Sequence, residues 1–413
     1  MHKSKLINEL FDLDWYRVET GEEFSSKQEA LQHYLSIGEK NGFLPNPLFD
    51  PNYYYSSYQL DRNESAFCNF CDVGVKENRN PNAYFLSEWY TWQNPESESY
   101  EHPVLHYLNV GGREFRDPSP WVDMVLVKRA QDNSVSGVSL LNKIIKGQND
   151  SGVGVCNSQK QLVSMQRNFI DDINFHIFKE KPVNAGRKYL LWVQCKVNAE
   201  FFNWYRSADR NWDLLLNYYD NNQSRPDIGE YIVSQNGTKF TAIFNVWRYT
   251  NIFEGYEYIL FIDDDLIFKY KSIDEYFNYI NKNSLDLSQP SLTTGSYCVW
   301  PVLFNKRSKG YRTTNGVEIM MPAFSRNCLG IMAPYFGLSV SGFGLDLLFA
   351  KLAEENKLKV AVVDAIKATH NSVIDQNSGA YYELLRSYGI NSKYELWSLI
   401  KRFNLDNELY QLP

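Results

Sequence analysis

The sequence has little cysteine and little histidine, six of each in 413 residues, and it has no run of about 20 apolar residues. Scattered as they are, Cys68, Cys71, Cys156, Cys195, Cys298 and Cys328 exclude a dense disulfide framework. Without a long apolar run, no segment reads as a bilayer span. The opening MHKSKLINELFDLDW has no apolar stretch behind its lysines and is not read as a secretory signal. Cationic excess is missing too. Lys and Arg total 42 against 49 Asp and Glu, a formal net charge of −7, so nucleic acid is not an expected partner. Neither GxxxxGK[ST] nor HExxH occurs, which lowers the reading as a phosphoryl-transfer enzyme or metallohydrolase. A cytoplasmic protein is expected, with peripheral contact at the inner face of the cytoplasmic membrane left open.

What is abundant is aromatic: 15% of residues, with 29 Tyr and 10 Trp. Such rings stack on the C–H faces of sugars while their polar edges hydrogen-bond, and they also fill cores. Many of them sit in an internal repeat. HYLSIGEKNGFLPNPLFD from His33, NFCDVGVKENRNPNAYFL from Asn69 and HYLNVGGREFRDPSPWVD from His106 share a Gly, a Pro and aromatic positions in one frame. FDLDWY at 11, FDPNYY at 49 and FLSEWY at 85 repeat alongside them. Three stacked helical units are expected over residues 1–123. In this frame the C-x-x-C at Cys68 and Cys71 falls where Gln32 and Leu35 stand in the first unit, and no second ligand pair follows. Packing outweighs zinc there. His33 and His106 recur with the repeat and read as structural.

Residues 124–186 are polar and rich in Gly, Ser and Asn around short apolar pieces, and read as a partly helical connector. From 187 to 385 apolar runs alternate with helical patterns. Strands are expected at 188–196, 212–220, 229–235 and 258–264. Helices are expected at 238–251 and 272–283, with Thr or Ser at the cap. That alternation predicts an α/β fold with a mixed, mostly parallel sheet. A helical tail is expected over 386–413.

One strand ends in chemistry. YILFIDDDLIF (258–268) runs straight into three aspartates. Asp263 and Asp265 are one residue apart, so on an extended chain they face one way, half of a hard-cation site for Mg²⁺ or Mn²⁺. A solvated acidic turn is the plain alternative. His370, the only histidine beyond residue 186, closes the apolar run VAVVDAIKATH and suits a third ligand at the same sheet rim. In SVSGFGLDLLFAKLAEE, Gly342 and Gly344 precede Asp346 at a helix start. Asp346 reads equally as a partner of the helix terminus, worth ~1 kcal/mol, or as a general base.

The blocks NGTKF, YEYILFIDDD, LDLSQPSL, NGVEIMMPAFSR, FGLDLLFA and VAVVDAIKATH occur in the order and approximate spacing of a glycosyltransferase-like family. Residues 187–375 resemble that family, known in plants as "lysine ketoglutarate reductase trans-splicing related". The N-terminal repeats resemble modules found beside bacterial polysaccharide glycosyltransferases. The resemblance implies a GT-A-like domain using a nucleotide sugar, a uridine-diphosphate donor, and a divalent metal. It makes Asp263 and Asp265 a D-x-D with His370 completing the metal site. Asp346 becomes the base of an inverting transfer, although Phe343 stands where a Trp is usual. Asp220, Lys239, Asp263, Asp264 and Glu318 would line the donor pocket, and Arg326 of the same block reads as an ion-pair partner or a site residue. The expected function is a hexosyltransferase extending a bacterial surface polysaccharide, O-antigen or capsule, on a polysaccharide or lipid-linked acceptor. The repeats would dock acceptor, partner enzyme or membrane. A catalytically silent glycan-binding scaffold is the alternative from another class.

Overall fold

The glycine that ends each repeat motif lies against a tyrosine. A Cβ on Gly38, Gly74 or Gly111 would overlap the hydroxyl of Tyr16, Tyr54 or Tyr90 respectively. Each of those hydroxyls bonds to the residue opening the motif: Tyr16 to His33 Nδ1 at 2.9 Å, Tyr54 to Asn69 Oδ1 at 3.0 Å, Tyr90 to His106 Nδ1 at 2.9 Å. The backbone turns there through one π-helical loop per repeat, Tyr34–Gly38, Phe70–Gly74 and Tyr107–Gly111. The motif-closing aspartates are helix caps: Asp50 accepts from Asn52 and Tyr53 N–H, and Asp123 from Val125 and Leu126 N–H. Leu86 takes the equivalent position before Ser87–Gln93 and supplies no such bond. Successive repeats are tied by Asn46 Nδ2 to Leu10 O and by Asn82 Nδ2 to Leu48 O. Cys71 is buried and Cys68 half-buried.

The computed structural model describes residues 2–131, 135–148, 152–156, 158–180, 186–206, 209–220, 226–372 and 379–412. It divides into two units, Met1–Ser158 and Gln159–Pro413. The segment read as a connector is shared between them. Helices Met124–Arg129 and Gly137–Ile145 fall in the first unit, and helix Gln159–Asp171 and a strand in the second. Residues 132–134, 149–151, 157 and 181–185 of that segment lie outside the described residues. Among the described residues no helix is long and apolar enough to cross a membrane.

The second unit is built on a mixed ten-stranded sheet. Its strands are β1 (His176–Lys179), β2 (Tyr189–Cys195), β3 (Trp212–Tyr218), β4 (Tyr231–Ser234), β5 (Tyr258–Asp263), β6 (Leu266–Phe268), β7 (Leu287–Leu292), β8 (Tyr311–Thr313), β9 (Ala323–Ser325) and β10 (Val360–His370). The order is β1-β4-β3-β2-β5-β9-β7-β10-β6, with β8 also on β10. The longest ladders, β2 with β3 and β5, and β7 with β10, are parallel, whereas β1, β6, β8 and β9 pair antiparallel. All seven residues of β2 and of β3 are buried, as the continuous apolar runs predict for strands covered on both faces. Helix Ser272–Lys282 covers β2 through Phe277 stacked on Tyr189, and helices Lys239–Tyr249 and Leu345–Glu355 meet through Phe240 and Phe349, which packs on Phe324 of β9. One cap differs from expectation. Lys271, not Ser272, precedes the second helix, in a left-handed conformation (φ 66°). The tail forms helices Ala380–Ser387 and Ser392–Phe403 and belongs to this unit.

Chain order reverses at β2, which has β3 on one side and β5 on the other. In parallel sheets the crevice beyond such a point takes the ligand. The acidic triplet leaves β5 there.

Candidate functional site

The meeting of Asp265 and His370 follows from register. His370, the last residue of β10, pairs with Leu266, the first of β6, so the residue before Leu266 is carried alongside the imidazole. Asp265 Oδ2 lies 3.2 Å from His370 Nε2, and His370 Nδ1 lies 2.7 Å from the carbonyl of Tyr297. Burial alone would lower the histidine's pKa. The bonds to Asp265 and to the Tyr297 carbonyl outweigh it and push it up to about 9. The second Asp265 oxygen, Oδ1, is buried without a hydrogen-bond partner.

Other expected residues are distributed around this pair. Asp263 gives its carboxylate to Lys239, Nζ to Oδ1 2.8 Å, and Lys239 also donates to Met320 O at 2.9 Å. Asp264 turns back on its own fold and accepts from Lys196 N–H at 3.2 Å and the Tyr219 hydroxyl at 3.1 Å. Asp220 Oδ2 accepts from Val197 N–H at 3.2 Å, leaving Oδ1 buried and unpartnered. Arg326 Nε donates to the Tyr256 carbonyl at 2.9 Å and serves the fold. Of the three expected metal ligands, Asp263 lies within electrostatic reach of Asp265 and His370 but pairs with Lys239. Asp265 and His370 are joined and Asp263 is held by a lysine; among the described residues no group of three or more His, Cys, Asp or Glu side chains is arranged to hold an ion.

Asp346 stands in the first turn of Leu345–Glu355 after Gly344 (φ 83°), and it is 8% exposed. Trp300 Nε1 donates to its Oδ2 at 3.0 Å and Leu347 N–H to its Oδ1 at 2.9 Å. Burial exceeds those bonds and pushes its pKa up to about 6. Glu318 accepts from the Cys298 thiol at 3.1 Å and is pushed up to about 7, first by burial and then by the charge of Asp346; Lys239 and His370 act on it in the opposite sense. Glu318 therefore lies within electrostatic reach of all three.

Three features carried no readable signal in the sequence. Loop 297–300 contacts the site three times: the Tyr297 carbonyl on His370, Cys298 on Glu318, Trp300 on Asp346. The tail carboxylate Glu395, fully buried, accepts from Val340 N–H at 2.7 Å, Ser341 N–H at 2.8 Å and Gln166 Nε2 at 2.8 Å. It braces the loop that delivers Gly342, Gly344 and Asp346. A row of buried amides at the strand ends, Asn217 on Gln194 at 2.7 Å and Gln235 on Asn217 at 2.8 Å, was equally silent.

No protein-family model matches the chain, and no curated protein matches it. Among solved structures it is similar to A197 from STIV (14% identity, TM-score 0.28, 46% of this chain and 87% of that one). It is also similar to S. aureus TarS 1-349 (12%, 0.32, 44% and 60%) and to GalNAc-T7 with UDP, GalNAc and Mn2+ (8%, 0.35, 46% and 44%). The chain thus spans less than two thirds of the latter two. TM-scores at this level do not establish a common fold, and the chemistry has to be read from the residues themselves.

Proposed function

We propose that the second unit is a metal-dependent glycosyltransferase of the GT-A type. It moves a hexosyl group from a nucleotide sugar, a UDP-sugar, to a hydroxyl of a growing bacterial surface polysaccharide or lipid-linked glycan, with inversion. One observation carries this reading. Asp265 and His370, from separate strand ends, share one hydrogen bond beside a carboxylate oxygen that is buried and unpartnered. A buried oxygen without a partner costs about 1–3 kcal/mol unless something binds it. Mg²⁺ and Mn²⁺ prefer such oxygens and take one or two protein carboxylates plus substrate phosphates. Asp265 and His370 fit as protein ligands; an unpartnered oxygen of Asp220 lies just after β3, two strands from β5. When bound, the ion supplies Lewis-acid neutralisation of the leaving diphosphate.

The chain's residues do the rest. Asp346, with a pKa near 6, is ionised at neutral pH and suited to take the acceptor hydroxyl's proton. The acceptor oxygen forms its bond to the sugar's anomeric carbon as the bond from that carbon to the diphosphate oxygen breaks, and the electron pair leaves with the nucleotide. Lys239 holds Asp263 and stands ready to exchange that partner for a donor phosphate. Glu318, near pKa 7, offers a hydrogen bond to a sugar hydroxyl. The repeats serve as a docking module, and the protein acts in the cytoplasm.

A silent glycan-binding scaffold is the second reading, favoured by the closed Lys239–Asp263 pair. Incubating the full chain with a panel of nucleotide sugars, with and without Mn²⁺, separates the two. Metal-dependent release of nucleotide, lost in Asp265→Ala, is expected; a folded protein that turns over no donor supports the scaffold.

A further inference from the structure

We propose that the second unit carries a separate binding cleft for the acidic sugars of a charged glycan. The cleft is formed by the short helix Phe201–Trp204, the start of β3 and the turn Lys269–Asp274; it is shallow and encloses about 20 Å³. A sugar therefore rests across its rim and does not fill it.

Charge is the first argument. Arg206, Arg210, Lys269 and Lys271 line the cleft against a single carboxylate, Asp274, in a chain whose net charge is −7. Arg210 is neutralised by Glu230 at 2.9 Å. Arg206 is fixed only by backbone carbonyls, Asn203 O at 3.1 Å and Tyr205 O at 2.7 Å, and Lys271 by Asp209 O at 2.8 Å. Among the described residues no carboxylate pairs with Arg206, Lys269 or Lys271. Cations gathered without counter-charges repel one another and favour an incoming anion.

The second argument is the walls. Arg210 Nε and Trp212 Nε1 belong to side chains 7% and 3% exposed, and both N–H groups are buried without an acceptor. Trp204 is locked by its indole N–H on Leu266 O at 2.8 Å, and Tyr270, 60% exposed, stands at the rim. Aromatic faces beside unpaired donors suit a sugar ring that bears a carboxylate or phosphate. The direction also fits. Trp212 begins β3 and Tyr218 ends it beside the aspartates, about 20 Å away at ~3.3 Å per residue. A polymer held here lies along the sheet toward the transfer site. That role as acceptor subsite rests on the transferase reading; binding itself does not.

The test is calorimetric titration of the full chain, without donor or metal, using a short oligogalacturonate, a neutral cello-oligosaccharide of equal length and phosphatidylglycerol vesicles. Binding of the oligogalacturonate alone is expected, weakened by salt and reduced about tenfold or more in Arg206→Ala/Lys269→Ala and in Tyr270→Ala. Equal binding of the neutral oligomer, undiminished binding by the folded variants, or binding to vesicles only overturns it. UDP binding with Mn²⁺ is followed on the same variants and is expected unchanged. Its absence in the wild type defeats the transferase reading while leaving the cleft result standing.

Discussion

Two carboxylates, one in each unit, show how differently the same chain treats a buried carboxylate oxygen. Glu39, in the repeats, is 3% exposed and accepts from Phe67 N–H at 2.8 Å and from the hydroxyls of Tyr34 at 3.3 Å and Tyr55 at 3.5 Å. Its lone pairs are engaged by Tyr34 of its own repeat and by Tyr55 and Phe67 of the next, so its burial fixes register. Asp265, its side chain 32% exposed, engages one oxygen with His370 and leaves the other buried without a hydrogen-bond partner. The difference teaches where function resides. A polar group whose neighbours complete its hydrogen bonds serves the fold, and one left incomplete is stabilised only by something that arrives.

The sharpest way to break this comparison is Asp265→Asn. Turnover is expected to fall about 10²–10³-fold or more, while the thermal midpoint falls by less than in Glu39→Ala, because Asn keeps an oxygen beside His370 and gives up only the ion pair. A midpoint that drops steeply would put Asp265 in the class of Glu39. Next come the engaged carboxylates. Glu39→Ala strands Phe67 N–H, and Glu395→Ala strands Val340 and Ser341 N–H. Each is expected to cost about 3 kcal/mol in urea denaturation, with the m-value unchanged. Glu395→Ala should also lower turnover, since it releases the loop carrying Asp346.

How far the sequence foretold all this depends on whether the signal was local. The strands β2 to β5 were legible from apolar runs, and the repeat from its Gly, Pro and Asp positions, because those residues obey short-range rules of packing and capping. Asp265 and His370 were legible as candidates at strand ends. Their contact depends on the antiparallel pairing of β6 with β10, 105 positions apart. Asp263 was read as a ligand by its spacing from Asp265, yet Lys239, from the far side of the sheet order, claims its carboxylate. Loop 297–300 and Glu395 were silent for the same reason. Their partners are distant in sequence, and Cys, Trp or Glu at those positions breaks no local pattern.

Asp346 gives the third test, because its burial is only partly offset. Its folded pKa, about 6, lies above the ordinary value of 3.8, so the folded state holds the proton more tightly. Stability from this group is full below about pH 4 and is lost as pH rises through 6. Asp346→Asn is therefore expected to be about 3 kcal/mol more stable than wild type at pH 8, a gap that closes toward pH 4. As a base it must be ionised, so kcat/KM of the wild type should rise with pH through about 6 and then level. Full turnover in Asp346→Asn would remove it from the chemistry.

The smallest effects discriminate within the repeats. Tyr90→Phe removes the hydroxyl bonded to His106 Nδ1 at 2.9 Å and leaves that nitrogen without its partner inside the module, at a cost of about 1 kcal/mol. Tyr54→Phe should cost less. Its partner Asn69 Oδ1 also accepts from Arg79 NH1 at 3.3 Å and keeps that bond when the hydroxyl is gone. If completeness of the hydrogen-bond shell governs the cost, the two tyrosines separate by a few tenths of a kcal/mol in matched urea titrations. Equal losses would mean that the ring's packing, not the closed polar shell, sets the stability of each repeat.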